Sequence, residues 1–468
     1  MFGALGMKWK QYNKIKKMRI VHLSDLHLSK DNLSSLKQFY LTALLKDLHN
    51  WQKENPIDLI VLTGDLIDKG GSSFKDGEDI YDIVEKEFIT PILQELKIDK
   101  SRFLFIPGNH DVIESKIEDL TESGMIDKFD NIDRINKYLD DNKTNIHAGI
   151  ERIKTYTDFE KRFYAGNTEC YLTNFESCFV VDIEGQKVGI GAFNSAWRCS
   201  SKLPSDKLLF GTKQVLNAND YFNSKGTTLN IALIHHPIEH ISEVDKNELT
   251  SFLHTNKFHI LLCGHTHRGD NVYTFGTRNK LFTSVAKTAF SNPRESIDTF
   301  KAGYSILDFE KTATGDIDIH CQFRKYIHNR VEFDKDVDTS PNGESSETLK
   351  ISTNDEGFNK YLILTDKTCR AKQELMNNSL VIHGTDSIAP RSINEIFVLP
   401  KLTEKPIVLN DIDDDLSLIK LSEILNSEKN ILIIGDKETG KSTLLNKIFI
   451  EASNSFTNYQ IIPVEIDF

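Results

Sequence analysis

The stretch of sequence that decides the fold is Pro107–Asp111, which reads PGNHD. The residues before it, Phe103–Ile106, are apolar and aromatic, which is typical of a buried strand. Gly108 permits a sharp turn without a steric penalty from a Cβ atom. An amide, an imidazole and a carboxylate then stand side by side at the carboxyl end of the strand, where ligands bind in open α/β sheets. This stretch predicts a functional site, with a plain polar turn as the alternative when it is taken alone.

Four further polar clusters follow apolar segments that the sequence predicts as strands. They are Asp25-x-His27 after residues 18–23, Gly64-Asp65 after 57–62, His235-His236-Pro237 after 229–234, and Gly264-His265-x-His267 after 259–262. Apolar residues at helical spacing over 33–48 and 80–88 place helices between the first three strands. That alternation indicates a parallel sheet with right-handed crossovers, which brings the strand ends to one edge.

Together the five clusters offer two carboxylates, one amide and four imidazoles, one of them from the pair His235-His236. Seven side chains are too many for one ion and suit two ions that share a bridging carboxylate. Mixed nitrogen and oxygen ligands favour Mn²⁺, Fe or Zn²⁺ over Mg²⁺. Each cluster taken singly is also explained by a surface turn, but their occurrence in this order predicts a dinuclear metal centre.

The series resembles the calcineurin-like metallophosphoesterase superfamily, whose pattern is Asp-x-His, Gly-Asp, Gly-Asn-His-Asp or Glu, His, and Gly-His-x-His. Every element is present between about residues 18 and 325. The resemblance implies an α/β fold, a four-layer-type β-sandwich flanked by helices. It implies the following ligands: Asp25, His27 and His267 for the first metal, Asn109, His235 and His265 for the second, and Asp65 as the bridge. His235 is preferred to His236 because the family ligand stands two residues before the proline.

The implied reaction is hydrolysis of a phosphate ester by a hydroxide between the two metals, since bound metal lowers the pKa of water to about 7. His110 is expected to protonate or stabilise the leaving oxygen, with Asp111 orienting its ring; a structural histidine is the alternative. The favoured substrate is a phosphodiester in a nucleotide or nucleic acid. A phosphomonoesterase or protein phosphatase, and a non-catalytic module that senses nucleotide, are the competing interpretations.

A second motif lies near the end of the chain, where residues 435–443, GDKETGKST, match the P-loop pattern after the apolar stretch 430–434. Phosphates of ATP or GTP, with Mg²⁺, are expected to bind at Gly435, Gly440, Lys441, Ser442 and Thr443. A glycine-rich turn that opens a helix is the alternative. No aspartate at Walker-B distance follows before Phe468, so the segment resembles the truncated start of a STAND or NACHT-type NTPase. By analogy, the phosphoesterase would be an effector that such a module controls through self-association, as in bacterial defence.

These motifs divide the chain into an N-terminal extension (1–17), a metallophosphoesterase domain (18–330), a linker or connector (331–415) and an incomplete P-loop α/β unit (416–468). Residues 334–347, rich in Asp, Ser, Gly and Glu, are the best linker candidate. Residues 117–164 are polar and helical in pattern and are interpreted as an inserted cap.

Composition narrows the class of protein. The 468 residues are 39% hydrophobic and 27% charged, as in soluble globular proteins. The net charge of -12 argues against strong non-specific binding to the nucleic-acid backbone. The six cysteines form no Cys-x-x-Cys pair, which favours reduced thiols in the cytoplasm over a disulfide framework or a Cys-based zinc site. No apolar run of about 18 residues and no secretory signal is present, so no membrane partner is expected.

Overall fold

The computed structural model describes most of the first 350 residues and a few positions near the end of the chain. The described residues are 17–75, 78–147, 149–204, 207–267, 270–275, 280–290, 302–312, 315–350, 433, 434, 441, 443–445, 447 and 448. Two compact units are present, Met1–Ser352 and Thr353–Phe468.

Within its described residues the first unit has fourteen strands and nine α-helices. The strands are β1 Lys17–Leu23, β2 Leu59–Thr63, β3 Phe103–Ile106, β4 Cys170–Leu172, β5 Glu176–Ile183, β6 Gln186–Phe193, β7 Leu229–Ile234, β8 Phe258–Cys263, β9 Asp270–Phe275, β10 Lys280–Val285, β11 Gly303–Lys311, β12 Ile317–Ile327, β13 Glu332–Lys335 and β14 Glu344–Leu349. The helices are α1 Leu33–Ser35, α2 Leu41–Glu54, α3 Ile80–Val84, α4 Thr90–Leu96, α5 Asp119–Lys128, α6 Ile132–Asp141, α7 Lys154–Phe163, α8 Lys213–Lys225 and α9 Glu243–Thr255.

The strands form two seven-stranded sheets. The first has the order β13-β12-β11-β1-β2-β3, with β14 also paired to β12. Its strands β1, β2 and β3 are parallel, and β11 runs antiparallel to β1. The second has the order β4-β5-β6-β7-β8-β10-β9, with β6, β7, β8 and β10 parallel. The predicted parallel strand-helix-strand arrangement is therefore present in β1, β2 and β3, which lie at one end of the first sheet. A second parallel set, β6, β7, β8 and β10, lies in the interior of the second sheet.

The composition of the central strands explains why they are buried on both faces. β2, with the sequence LIVLT, and β7, with the sequence LNIALI, are buried at every position, as expected for parallel strands covered on both sides. Helix α8 lies against β5 and β6, and α9 lies against β8. Buried apolar residues from both sheets form one continuous core. The result is a mixed α/β fold with two sheets, in agreement with the predicted class.

The structure differs from the sequence-based expectation at residues 334–347, the predicted linker. This segment overlaps β13 and β14, and both strands pair with β12. Phe333 and Leu349 are buried, and Asp336 is buried in an ion pair with Lys287. The polar residues that suggested a linker belong to edge strands with a solvent-facing side and to the turn between them.

Two other expectations concern the inserted cap and the chain terminus. Helices α5, α6 and α7 occupy the segment 117–164, which was expected to be helical. The P-loop residues Gly435, Gly440 and Ser442 lie outside the described residues. Lys441 and Thr443 are described and have helical backbone.

Over the part of the chain that the structure describes, no helix combines the length and apolar character that a membrane span requires.

Candidate metal centre

The polar clusters at the strand ends of both sheets meet at one place. The backbone N–H of Asp25, after β1, donates to Gly64 O at 3.0 Å, and that of His27 donates to Asp65 O at 2.9 Å. The loop after β8 joins them, because His265 N donates to Asp25 Oδ2 at 3.1 Å. The carboxyl ends of β1, β2 and β8 are thus connected by hydrogen bonds of ordinary length.

Five of the seven predicted ligands have left-handed backbone conformations, which non-glycine residues seldom adopt. The φ angles are 54° at Asp25, 47° at His27, 53° at Asp65, 71° at His265 and 58° at His267. Each such residue costs about 1–3 kcal/mol and persists where the surrounding structure over-determines it, as at functional sites. The backbone strain therefore coincides with the predicted ligands.

The glycines of three motifs are required by close approach. A Cβ atom would overlap His235 at Gly64, Asp65 Oδ1 at Gly108 and Ser24 Oγ at Gly264. Gly64 also has a φ of 97°, which favours glycine. These positions let neighbouring strand ends pack closely enough for their side chains to converge.

The first group of candidate ligands consists of Asp25, His27, Asp65 and His267. One ligand atom from each lies within 4.8 Å of every other. His267 Nε2 is 3.3 Å from Asp25 Oδ1 and 3.2 Å from His27 Nε2. His27 Nε2 is 3.8 Å from both Asp25 Oδ1 and Asp65 Oδ2. The nitrogen and oxygen atoms are close enough together to be ligands of one cation.

The second group consists of Asn109, His235 and His265, beside Asp65. Asn109 Oδ1 is 3.1 Å from His235 Nε2 and 3.0 Å from His265 Nδ1. His235 Nε2 is also 3.4 Å from Asp65 Oδ2. Asp65 therefore borders both groups, which is the position that a bridging carboxylate requires.

His236 lies among these imidazoles but has other partners. Its ring centroid is 4.6 Å from that of His265, and it forms a further candidate metal group with His235 and His265. Its Nδ1 is 2.8 Å from Ser195 Oγ, and its Nε2 is 3.8 Å from Cys199 Sγ. Since both ring nitrogens have neighbours away from Asp65, the geometry favours His235 over His236 as the ligand.

The donor atoms present fit a pair of divalent cations. His235 Nδ1 is 2.7 Å from Thr63 O, and donating to that carbonyl leaves the Nε2 lone pair directed at Asn109 and Asp65. Asp25 Oδ1 is buried and accepts no well-formed hydrogen bond from the part of the chain that the structure describes. Its near neighbours there are the Nε2 atoms of His267 at 3.3 Å and His27 at 3.8 Å. A buried carboxylate oxygen of this kind is costly unless a cation binds it. The mixed imidazole, carboxylate and amide set suits Mn²⁺, Fe or Zn²⁺.

The electrostatics of the site keep its carboxylates ionised. Burial raises the pKa of Asp65, but the neighbouring His235 and the other imidazoles outweigh it and hold that pKa well below its usual range. Burial also raises the pKa of Asp25, and His267 and His235 reverse the shift so that the net direction is downward. Burial and the charge of His235 lower the pKa of His265 to about 4. Burial lowers the pKa of His235, but Asp65 and Asp25 raise it to about 9 overall, so binding of a metal at Nε2 releases a proton there. Ionised carboxylates and neutral imidazoles are the forms that bind metal.

The expected pairing of Asp111 with His110 is replaced by a different one. His110 Nδ1 lies 2.9 Å from Asp68 Oδ1. Asp111 is buried, and its carboxylate accepts hydrogen bonds from the backbone N–H groups of Gly108, Leu66 and Ile67 and from Tyr81 Oη. Asp111 therefore ties the loop after β2 to the loop after β3, and its bond from Gly108 N also caps the short helical turn 109–111.

His110 is placed beside the first group by its backbone and its ring. Its backbone N–H donates to Asp65 Oδ1 at 2.7 Å, and its ring centroid is 4.5 Å from that of His27. Burial lowers the pKa of His110, but the hydrogen bond to Asp68 and the charges of Asp65 and Asp68 raise it above its usual value overall. Sequence reasoning missed Asp68; the available signal was a second carboxylate three residues after Asp65.

Comparison with known proteins supports the same interpretation. A family model described as calcineurin-like phosphoesterase matches residues 18–269. A protein of Bacillus subtilis, described as the uncharacterized metallophosphoesterase-like protein YydB, is 25% identical over 281 residues, which are 58% of this chain and 53% of that protein. The chain thus spans about half the length of this relative.

Two solved structures are also similar. One is GAP50, described as the anchor in the inner membrane complex of Plasmodium, with a TM-score of 0.37 and 13% identity over 72% of this chain and 90% of that chain. The other is a single mutant of Vps29 from Entamoeba histolytica, with a TM-score of 0.25 and 12% identity over 72% of this chain and 100% of that chain. Since the family model covers more than half of the 468 residues, the chain belongs to the calcineurin-like phosphoesterase family, and its matched domain is that of a metal-dependent phosphoesterase.

Proposed function

We propose that this protein hydrolyses a phosphodiester in a nucleotide or nucleic acid with the help of two divalent metal ions. The observation that carries the proposal is the position of Asp65. Its carboxylate borders the group of Asp25, His27 and His267 on one side and lies 3.4 Å from His235 on the other. One carboxylate shared by two sets of ligands is the arrangement expected of a dinuclear site.

The ligands are the seven side chains that the sequence singles out. Asp25, His27 and His267 would hold the first ion, Asn109, His235 and His265 the second, and Asp65 would join them. When bound, such a pair of ions lowers the pKa of a coordinated water and offsets the negative charge that develops on the phosphoryl group. The protein's part is to fix the ligands: Thr63 O orients His235, and the backbone N–H of His265 holds Asp25.

His110 is proposed as the acid that protonates the leaving oxygen. Its ring lies beside His27 at the edge of the first group, and Asp68 accepts from Nδ1. In the imidazolium both ring nitrogens carry a proton, so Nε2 can give its proton to the leaving oxygen while Nδ1 stays bonded to Asp68. The hydrogen bond and the nearby carboxylates raise the pKa of His110, so its charged form is favoured. Asp68 acts on the substrate through His110 and is therefore a positioning residue.

The partial exposure of the site supports a phosphodiester as substrate over a small monoester that a closed pocket would enclose. The side chains of His110 and Asp68 are 31% and 30% exposed, and that of His267 is 22% exposed. A partly open centre can receive an ester within a longer molecule. Lys69, beside Asp68, is exposed and adds a positive charge at the rim. A phosphomonoesterase or protein phosphatase is the competing proposal.

The test is hydrolysis by the full chain with Mn²⁺ across a diester, a monoester, and single- and double-stranded nucleic acids. Wild-type protein should cleave the diester class best and should bind two equivalents of metal. Asp65→Asn should lower turnover by at least about 10²-fold and lower the metal content, because the shared ligand loses its charge. Asp220→Asn, an exposed position on α8, is the matched control and should match wild type.

Turnover that survives Asp65→Asn would overturn the two-metal mechanism. Faster cleavage of the monoester than of every diester would replace the favoured substrate class by the competing one. A metal-loaded protein that cleaves neither class would favour the non-catalytic regulatory interpretation.

We also propose that the residues after the phosphoesterase domain bind ATP or GTP with Mg²⁺ and control the phosphoesterase through self-association in a cytoplasmic defence protein. The support is the P-loop pattern at 435–443 and the helical backbone of Lys441 and Thr443. The five cysteines that the structure describes are free thiols, which favours a reducing compartment. The tests are nucleotide binding and the molecular mass of the assembly in solution, each measured for the full chain and for Lys441→Ala. Equal nucleotide affinity in both proteins would overturn the proposal.

A further inference from the structure

A third group of possible metal ligands lies next to the two already described. It consists of His27, Asp68 and His110, and one ligand atom of each lies within 4.8 Å of the other two. His110 Nδ1 and Asp68 Oδ1 are 2.9 Å apart, and the ring centroids of His110 and His27 are 4.5 Å apart. Asp68 and His110 belong to neither of the two groups that Asp65 joins.

This third group is open to solvent. The side chains of His27, Asp68 and His110 are 16%, 30% and 31% exposed. A hydrated ion can therefore reach them without any opening of the fold. Two imidazoles and one carboxylate, with a water in the fourth position, are a ligand set that Zn²⁺ accepts in tetrahedral geometry.

We propose that His27, Asp68 and His110 form an inhibitory site for Zn²⁺, distinct from the two ions of the hydrolytic centre. The inference rests on the proposed function, because the site acts by removing the acid of that reaction. An ion on His110 takes the nitrogen lone pair and displaces the hydrogen bond to Asp68. The proton displaced from Nδ1 passes to solvent and the imidazole is left neutral. Its remaining Nε2–H is a far weaker acid than that of the imidazolium, so protonation of the leaving oxygen slows.

Sharing of His27 makes the third site weaker than the first two. A neutral imidazole offers one lone pair, so an ion in the third group draws His27 away from the first. The first ion then keeps Asp25, Asp65 and His267. Three divalent cations also repel one another more strongly than two. The third equivalent consequently binds only when Zn²⁺ is in excess.

The chemistry of the ligands makes the inhibition selective among metals. Imidazole-rich sites bind Zn²⁺ more tightly than Mn²⁺, following the general order of affinity for divalent ions. The third group has two imidazoles and a single carboxylate. Excess Mn²⁺ should therefore leave turnover unchanged over a concentration range in which added Zn²⁺ abolishes it.

Counting bound Zn²⁺ tests the site directly. The full chain is dialysed against increasing Zn²⁺, and bound metal is measured by elemental analysis. Wild type should bind two equivalents tightly and a third at higher concentration. Asp68→Asn and His110→Gln should stop at two, since each lacks a ligand of the third group alone. Asp130→Asn, an exposed aspartate that pairs with Arg134, is the matched control and should bind three.

Measurements of turnover distinguish Zn²⁺ binding at the third group from replacement of the catalytic Mn²⁺ ions by Zn²⁺. Each protein is assayed with saturating Mn²⁺, and Zn²⁺ is then added, with inhibition expressed relative to that protein's own Mn²⁺ rate. Wild type should lose at least about tenfold, whereas Asp68→Asn should retain most of its own lower rate. Equal inhibition of both proteins, or a wild type that binds only two equivalents, would overturn the inference while leaving the proposed hydrolysis intact. Absence of Mn²⁺-dependent hydrolysis would instead refute the proposed function, and the zinc count would still decide whether the third site exists.

Discussion

His110 is paired with Asp68, its Nδ1 lying 2.9 Å from Asp68 Oδ1, and not with Asp111, the carboxylate next to it in sequence. The two aspartates therefore have different roles. Asp68 is partly exposed beside the imidazole at the open side of the site. Asp111 is buried and accepts hydrogen bonds from three backbone N–H groups and one tyrosine.

The first prediction is that substitution of Asp68 and of Asp111 will affect kcat differently as the leaving group of the substrate is varied. Asp68→Asn should lower kcat by about 10-fold to 10²-fold, because the imidazole loses the carboxylate that orients it and favours its protonated form. The loss should be larger for an aryl ester with a poor leaving group than for a nitrophenyl ester, since only the former needs the proton. Steady-state kinetics with the two esters measure it.

Asp111→Asn is the comparison for this prediction. One of its oxygens becomes an NH₂ group facing backbone donors, which costs about 1–3 kcal/mol of stability. Its effect on kcat should not depend on the leaving group. A leaving-group dependence in Asp111→Asn and none in Asp68→Asn would contradict the assigned pairing.

The second prediction concerns Gly108, whose close approach to Asp65 is the condition for the shared carboxylate. Its φ of -113° suits any residue, so Gly108→Ala introduces no backbone strain. The added Cβ atom would overlap Asp65 Oδ1. We expect the variant to fold with a loss of about 1–3 kcal/mol, to bind less metal than wild type and to lose at least about 10²-fold in turnover.

Gly124 provides the matched control for this substitution. It lies in helix α5, and a Cβ atom there meets nothing within 4 Å. Gly124→Ala should raise stability by about 0.5–1 kcal/mol, because alanine is the better helix former, and should leave the metal content unchanged. A fully metallated, active Gly108→Ala would show that Asp65 does not need its present position.

Much of the site's architecture could be predicted from sequence because it depends on local patterns. An apolar run ending in Asp25 or Asp65 specifies both a buried strand and the polar group at its carboxyl end. The parallel pairing of β1, β2 and β3 then places those ends at one edge. No property of the sequence beyond strand periodicity and strand-end chemistry was needed for this part.

Relationships between distant segments were harder to predict. Asp68 and Asp111 are both carboxylates close in sequence to site residues, and only the path of the loop after β2 decides which of them faces His110. The segment 334–347 was predicted as a linker because its polar composition resembles one. Pairing with β12 is a tertiary contact that this composition does not reveal.

The third prediction concerns removal of metal. Asp25 and Asp65 are both buried, and their like charges repel each other. Burial and the charge of Asp65 act to raise the pKa of Asp25, against the stronger downward effect of His267 and His235. Bound cations would relieve this repulsion and stabilise only the folded state. Chelation of the Mn²⁺-loaded protein should therefore lower Tm by about 5–10 °C, and added Mn²⁺ should restore it. Asp65→Asn should show a smaller shift; an equal shift in both proteins would mean that the chelated metal is bound elsewhere.

The fourth prediction is a dependence of stability on pH that does not involve the metal ligands. Glu160, on α7, is buried, and burial raises its pKa from 4.5 to about 7 although Ser177 and Tyr156 donate to it. The folded state therefore holds a proton that the unfolded state has released between these values. The stability contributed by the protonated form is complete below about pH 4.5 and is lost as the pH rises through about 7.

Glu160→Gln should remove this dependence, because an amide stays neutral and can still accept from Tyr156. At pH 8 the variant should exceed wild type in free energy of unfolding by about 1–3 kcal/mol, and at pH 4.5 the two should agree more closely. Denaturant unfolding at a series of pH values measures the difference. Glu176→Gln should behave in the same direction, since burial raises the pKa of Glu176 to about 7 as well. A difference that stays constant from pH 4.5 to 8 would show that Glu160 has the same pKa in the folded and unfolded states, and it would contradict this prediction.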